Sequence, residues 1–69
     1  MTNEFKMDFA IRAIEITWEK AQECKADGNE NGYCLWLEEA YGMLRMFQIL
    51  TTKKAVIRDN KVVIVEQEK

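Results

Sequence analysis

Histidine, serine and proline are missing from this 69-residue chain, and cysteine occurs only twice, at Cys24 and Cys34. The lack of histidine and serine removes the commonest general base and the commonest hydroxyl nucleophile, so serine–histidine and cysteine–histidine catalysis are excluded. Two cysteines with no histidine cannot form a four-ligand zinc site. The acids sit beside lysines and arginines with no glycine-rich phosphate loop near them, which leaves paired-carboxylate chemistry without a framework. The expectation is a protein that is not an enzyme and needs no cofactor.

Long apolar runs are missing as well: no stretch approaches the 18 residues of a membrane span. Glu4, Lys6 and Asp8 occupy the N-terminal region where a signal peptide would need an apolar core. A soluble, cytoplasmic protein without a membrane partner follows as the expectation, and in a reducing compartment Cys24 and Cys34 read as small buried hydrophobes. No excess of positive charge is present, since twelve acids and ten bases give a net charge of −2. A nucleic-acid partner is therefore not expected, and Lys53, Lys54, Arg58 and Lys61 read as a solvated helix end and turn.

What is present is patterned. Thr2 or Asn3 can cap a helix with Glu4 in its first turn, and no glycine interrupts before Gly28, which predicts helix one over about Asn3 to Ala26, roughly 36 Å long. At 100° per residue Met7, Ala10, Ile11, Ile14, Trp18 and Ala21 form one stripe, while Phe5, Phe9, Ala13 and Ile16 form a second stripe roughly opposite. Asp8, Arg12, Glu15, Glu19, Gln22 and Glu23 make a polar flank. A helix with one neighbour needs one stripe, so the second calls for another contact. Asp27 to Gly32 is dense in helix breakers and reads as the loop of a helical hairpin. Helix two spans about Tyr33 to Thr52 and is apolar nearly all round, as expected of a central helix covered on several sides, with Gly42 marking a close approach or a partner's side chain. Trp18 and Trp36, one per helix, are expected to meet in the core between them.

From Ala55 the residues become β-branched. Ala55 to Ile57 and Val62 to Val65 flank Asp59-Asn60, which suits a two-residue primed turn, giving a β-hairpin over about residues 55–66. The second arm does not alternate, which implies burial on both faces. The fold class is α+β: a long antiparallel helical hairpin followed by a two-stranded β-hairpin, in one domain spanning residues 1–69. A domain of this size buries only about 60% of its unfolded surface, so oligomerisation is expected to complete it, by a second hairpin extending or stacking on the sheet. Phe5, Phe9, Ile16, Val63 and Val65 are the expected protein interface, contacting further copies of the chain or an unidentified protein partner.

One constellation matches a motif. Asp27, Asn29, Asn31, Gly32 and Glu38 fall at positions one, three, five, six and twelve of a calcium loop between two helices, and by this pattern the segment resembles an EF-hand. The resemblance implies side-chain oxygens from Asp27, Asn29 and Asn31, a carbonyl from Tyr33, a sharp turn at Gly32 and a bidentate carboxylate from Glu38. Position nine is Leu35, which cannot ligate, and only one such loop is present. Capping accounts for the same residues without an ion: Gly28 ends helix one and Asn29 or Asn31 caps helix two. Capping is the reading adopted, with no metal, and a calcium-binding protein stands as an alternative. Functionally the sequence points to a small oligomeric regulator or inhibitor that occupies a partner's surface, of the kind a phage or mobile element encodes. A DNA-binding transcriptional regulator is a further alternative and would require a basic recognition surface.

Overall fold

A computed structural model describes residues 6–65. Its elements are α1 (Met7–Ala26), α2 (Glu30–Thr51), β1 (Lys54–Arg58) and β2 (Lys61–Val65), the two strands pairing as an antiparallel ribbon. The α+β layout is thus as the sequence indicates. Lys6 is extended, so α1 starts at Met7 where the sequence predicts a helix running from about Asn3; Asn3 itself and the hairpin's last residue, Glu66, lie outside the described residues.

The link between the helices is shorter than the sequence suggested, because two local motifs share it. Gly28 adopts φ +76°, and the amides of Gly28 and Asn29 donate back to the carbonyls of Lys25 and Cys24 at 3.1 and 2.8 Å. This is a Schellman close, which needs a residue at ease in the left-handed region. Asn29 is at once the end of that motif and the N-cap of α2, its Oδ1 accepting from the Gly32 amide at 3.0 Å. Helix two therefore begins at Glu30 and not at Tyr33, and the expected loop over 27–32 shrinks to its first residues.

The two helices pack antiparallel through alanines. Ala21 and Ala40 are fully buried, small enough to let the backbones approach, and Thr17 closes the same seam with its hydroxyl on the Ala13 carbonyl and Met43 Sδ. The ribbon covers one end of this pair. Ile14, Leu44, Phe47 and Ala55 form the buried cluster, with Met7, Ile11, Ile57, Val62 and Ile64 packed around it. Full burial of side chains such as Phe47 and Ile14 contributes about 1.5–3 kcal/mol each.

The turn of the ribbon is the primed type the sequence predicts, with Asp59 at φ 53° and Asn60 at φ 64°. Its register pairs Ala55 with Ile64 and Ile57 with Val62 on the inner face. Lys54–Val65, Val56–Val63 and Arg58–Lys61 are the pairs of the outer face. The expectation that Val62 to Val65 is buried on both faces is corrected here: Val62 and Ile64 point into the core, while Val63 and Val65 point outward and are only half-buried. Their shelter comes from cross-strand neighbours, not from a second layer.

Three polar contacts fix the ribbon on the helices. Trp18 Nε1 donates to Asn60 Oδ1 at 2.7 Å, tying the turn to α1. Glu15 Oε2 accepts from the Val62 amide at 3.0 Å, and Gln48 Oε1 accepts from the Ala55 amide at 2.8 Å. One amide on each edge of the ribbon is thereby taken by a helix side chain. Glu15, which the periodicity places in a polar flank, is instead buried beneath β2, its other oxygen 3.5 Å from Arg12. The tryptophans do not act as one core contact: Trp18 meets Tyr41 edge-on at 5.8 Å, and Trp36 lies under Lys20.

Candidate interaction surfaces

The helical hairpin is one layer thick, and on the side turned away from the ribbon nothing among the described residues covers it. On that side Phe9 is 78% exposed and Ile16 41% exposed, both on the second stripe of α1. Phe5, the remaining member of the expected helical interface, lies outside the described residues. Helix α2 adds Met46, Ile49 and Leu50, all exposed by more than half. Between the helices runs an apolar groove of about 210 Å³, walled by Ala10 and Ala13 on one side and Met43, Met46 and Leu50 on the other, with Ile14 and Phe47 as its floor. The groove and its rim form one continuous apolar face.

The sequence places Phe9 and Ile16 in the interface and leaves the cover of an all-round apolar α2 to its own chain or a partner; Leu35, Met46, Ile49 and Leu50 are exposed, so nothing among the described residues covers them. Gly42 likewise has open space where a Cβ would stand, so no close approach among the described residues explains it. The pattern already points this way: Ile49 sits beside the strip formed by Glu38, Arg45, Gln48 and Thr52, the polar side of α2, where a helix buried against its own chain has no need of an isoleucine.

The second surface is the outer face of the ribbon. Val63 and Val65, two of the expected interface residues, lie on it together with Val56. Exposed Lys54, Arg58 and Lys61 occupy the other three positions of that face. It is therefore an apolar centre with a cationic border and no acid among its six residues. Three of the four basic residues expected at a solvated helix end and turn, Lys54, Arg58 and Lys61, are gathered by strand register onto one side, while Lys53 precedes the strand.

The residues of the calcium pattern are placed by the helix start. Asn31, Tyr33 and Glu38 are all within α2, Asn29 Oδ1 is engaged on the Gly32 amide, and Tyr33 lies under the Lys25 ammonium at 5.6 Å. Gly32 serves close packing: an added Cβ would lie 2.5 Å from Asn29 Nδ2 and 2.9 Å from Cys24 Sγ. Among the described residues no group of three or more acids or cysteines is gathered as a metal site. Cys24 is half-buried against Asn29, whereas Cys34 is exposed, so the buried-hydrophobe expectation fails for Cys34. Both are free thiols.

Every buried side-chain nitrogen and oxygen among the described residues has a hydrogen-bond partner. No described helix is long and apolar enough to cross a membrane. In comparisons with protein-family models, curated proteins and solved structures, nothing matches this chain.

Proposed function

We propose that this chain is a non-enzymatic protein-interaction module, an oligomeric regulator or inhibitor that acts by covering part of a partner protein's surface. The observation that carries this reading is the pair of solvent-facing apolar surfaces on opposite sides of so small a domain, one on the helices and one on the ribbon. Isolated exposed hydrophobes are ordinary, but contiguous patches rimmed by polar residues mark association sites. The ribbon face suits a different protein: its valines supply apolar contact, and Lys54, Arg58 and Lys61 favour a partner with an acidic border.

The test is affinity capture from the native host with the parent chain and with Val63→Glu in parallel. A protein retained in stoichiometric amount by the parent and released by Val63→Glu, with circular dichroism unchanged, supports the reading. Equal recovery by both proteins removes the ribbon face from the proposal.

A DNA-binding reading gains one specific observation, because a two-stranded ribbon fits the major groove and this one carries three cations outward. Against it, the interleaved positions are valines, which cannot hydrogen-bond to base edges. Anisotropy titration with duplex DNA separates the two. Three phosphate contacts per chain would give a slope of log affinity on log salt near about −2.7, while the favoured reading expects no saturable binding at physiological salt.

A further inference from the structure

We infer that the helical face is the contact between two copies of this chain, joined about a two-fold axis running along the helices so that Phe9 of each copy seats on the Met46 and Leu50 wall of the other's groove. This deepens the interaction-module reading and rests on it, supplying the oligomer that reading invokes.

Three features of the face favour a second copy over another occupant. The first is self-complementarity. A protruding ring and an unfilled apolar groove lie on the same face, and a closed two-fold contact requires that one patch supply both knob and hole. The groove's volume of about 210 Å³ is ample for a ring, given that a cavity of about 150 Å³ accepts benzene.

The second is level. Ala10 and Ala13 line the groove together with Met46, Phe47 and Leu50, so the N-terminal half of α1 lies abreast of the C-terminal half of α2. A two-fold axis parallel to the helices preserves height along them while exchanging left for right. It therefore sets α1 of the second copy over α2 of the first, with its Phe9 at the height of Met46 and Leu50. The product is an antiparallel four-helix layer with a ribbon on each outer side, a packing in which facing apolar stripes interdigitate.

The third is area. From their exposures, Phe9, Ile16, Met46, Ile49 and Leu50 present on the order of 500 Å² of apolar surface per chain, more than half of the roughly 800 Å² per partner of a standard stable interface before any polar rim is counted. The ribbon is the poorer site for self-association. Its edges have the Ala55 and Val62 amides occupied by Gln48 and Glu15, and its outer faces would bring Lys54, Arg58 and Lys61 of two copies against one another.

The experiment is light scattering coupled to size exclusion at about 100 µM, with circular dichroism as the folding control. The parent is expected at twice its 8.1 kDa mass. Phe9→Glu and Met46→Glu are expected to halve that mass while keeping the helical spectrum, since both residues are exposed, and Val63→Glu is expected to leave it doubled. In a background with Cys24 and Cys34 changed to alanine, a mixture of Phe9→Cys and Leu50→Cys chains should oxidise to the mixed disulfide in preference to either homodimer. A doubled mass that survives Phe9→Glu and Met46→Glu but collapses with Val63→Glu would overturn the inference while sparing self-association. A folded parent at the single-chain mass would overturn both the inference and the oligomer, leaving the capture experiment to decide the interaction reading alone.

Discussion

The carboxylate of Glu15 offers the sharpest test of how the ribbon is held. It is 9% exposed, receives the Val62 amide at 3.0 Å, and is the one acid of α1 drawn beneath β2. A hydrogen bond to a charged acceptor contributes about 1.5–3 kcal/mol, and its loss leaves a sheltered amide without a partner. Glu15→Ala should therefore destabilise the fold by about 2 kcal/mol, a large share of the margin available to so small a domain. Glu15→Gln retains an acceptor of the same shape and loses only the charge, so it should cost about half as much. Arg12→Ala should cost under about 0.5 kcal/mol, because Arg12 is half-exposed and lies at 3.5 and 3.6 Å from Glu15 and Glu19. Urea melts give the three values in order. Amide exchange locates the effect, with the Val62 amide losing protection in Glu15→Ala while the Ala55 amide, held by Gln48, keeps it. Equal stability of Glu15→Ala and parent, or loss of protection at both amides alike, would show that Glu15 does not hold this edge.

Other substitutions test neighbouring steps by thermal or urea denaturation. Gly42→Ala should stabilise by up to about 1 kcal/mol, since its Cβ meets open space, whereas Gly32→Ala should gain nothing in the parent and become stabilising only once Asn29→Ala and Cys24→Ala have cleared both side chains from its path. Asn60→Ala should cost more than Asn60→Gly, because both lose the bond from Trp18 but only alanine resents φ 64°; equal costs would assign the whole effect to the hydrogen bond. Millimolar calcium should leave the melting temperature unchanged, as Asn31, Tyr33 and Glu38 are committed to helix; a rise of several degrees that Glu38→Gln abolishes would reinstate the EF-hand alternative. If two copies fold and associate together, a tenfold increase in concentration should raise the melting temperature by about 4 °C, and a concentration-independent value would speak for a self-sufficient monomer.

The parts of this fold that could be read from sequence are those whose causes are local. Asp59-Asn60 between β-branched arms identifies a primed turn because few residue pairs accept positive φ at both positions. Gly28 after an unbroken amphipathic run marks the end of α1 for the same reason. The start of α2 was misplaced by three residues because Asn31 and Gly32 resemble loop in composition, while their positions are set by a shared motif in which Asn29 closes one helix and caps the next. Glu15 was misplaced for a different reason: its partner, Val62, is 47 residues away. Periodicity reports which face a residue occupies, and a ribbon arriving from the far end of the chain can bury a face that looks polar. Of the candidate interface, the second α1 stripe was legible as surplus apolar surface. The α2 contribution was legible only as an excess of apolar residues and not as a particular patch, since an all-round apolar helix looks the same whether its own chain or another copy covers it.

The placement of the ribbon bears directly on which surface remains for association. A two-stranded sheet exposes two edges, each a template for strand addition, and proteins guard such edges with charge or with covering side chains. Here both helices extend a side chain to the ribbon, Glu15 to β2 and Gln48 to β1, each engaging an edge amide. Lys54, Arg58 and Lys61 border the outer face and set like charges against one another in any stacking of two ribbons. Among the described residues the helical face carries no comparable guard over Phe9, Met46, Ile49 and Leu50, although helix propensity and solubility would both be served by polar residues at these exposed sites. In the dimer proposed above, guarding the ribbon while leaving the helices open would direct self-association to one surface and keep the other, apolar at its centre and cationic at its border, for a partner of different chemistry.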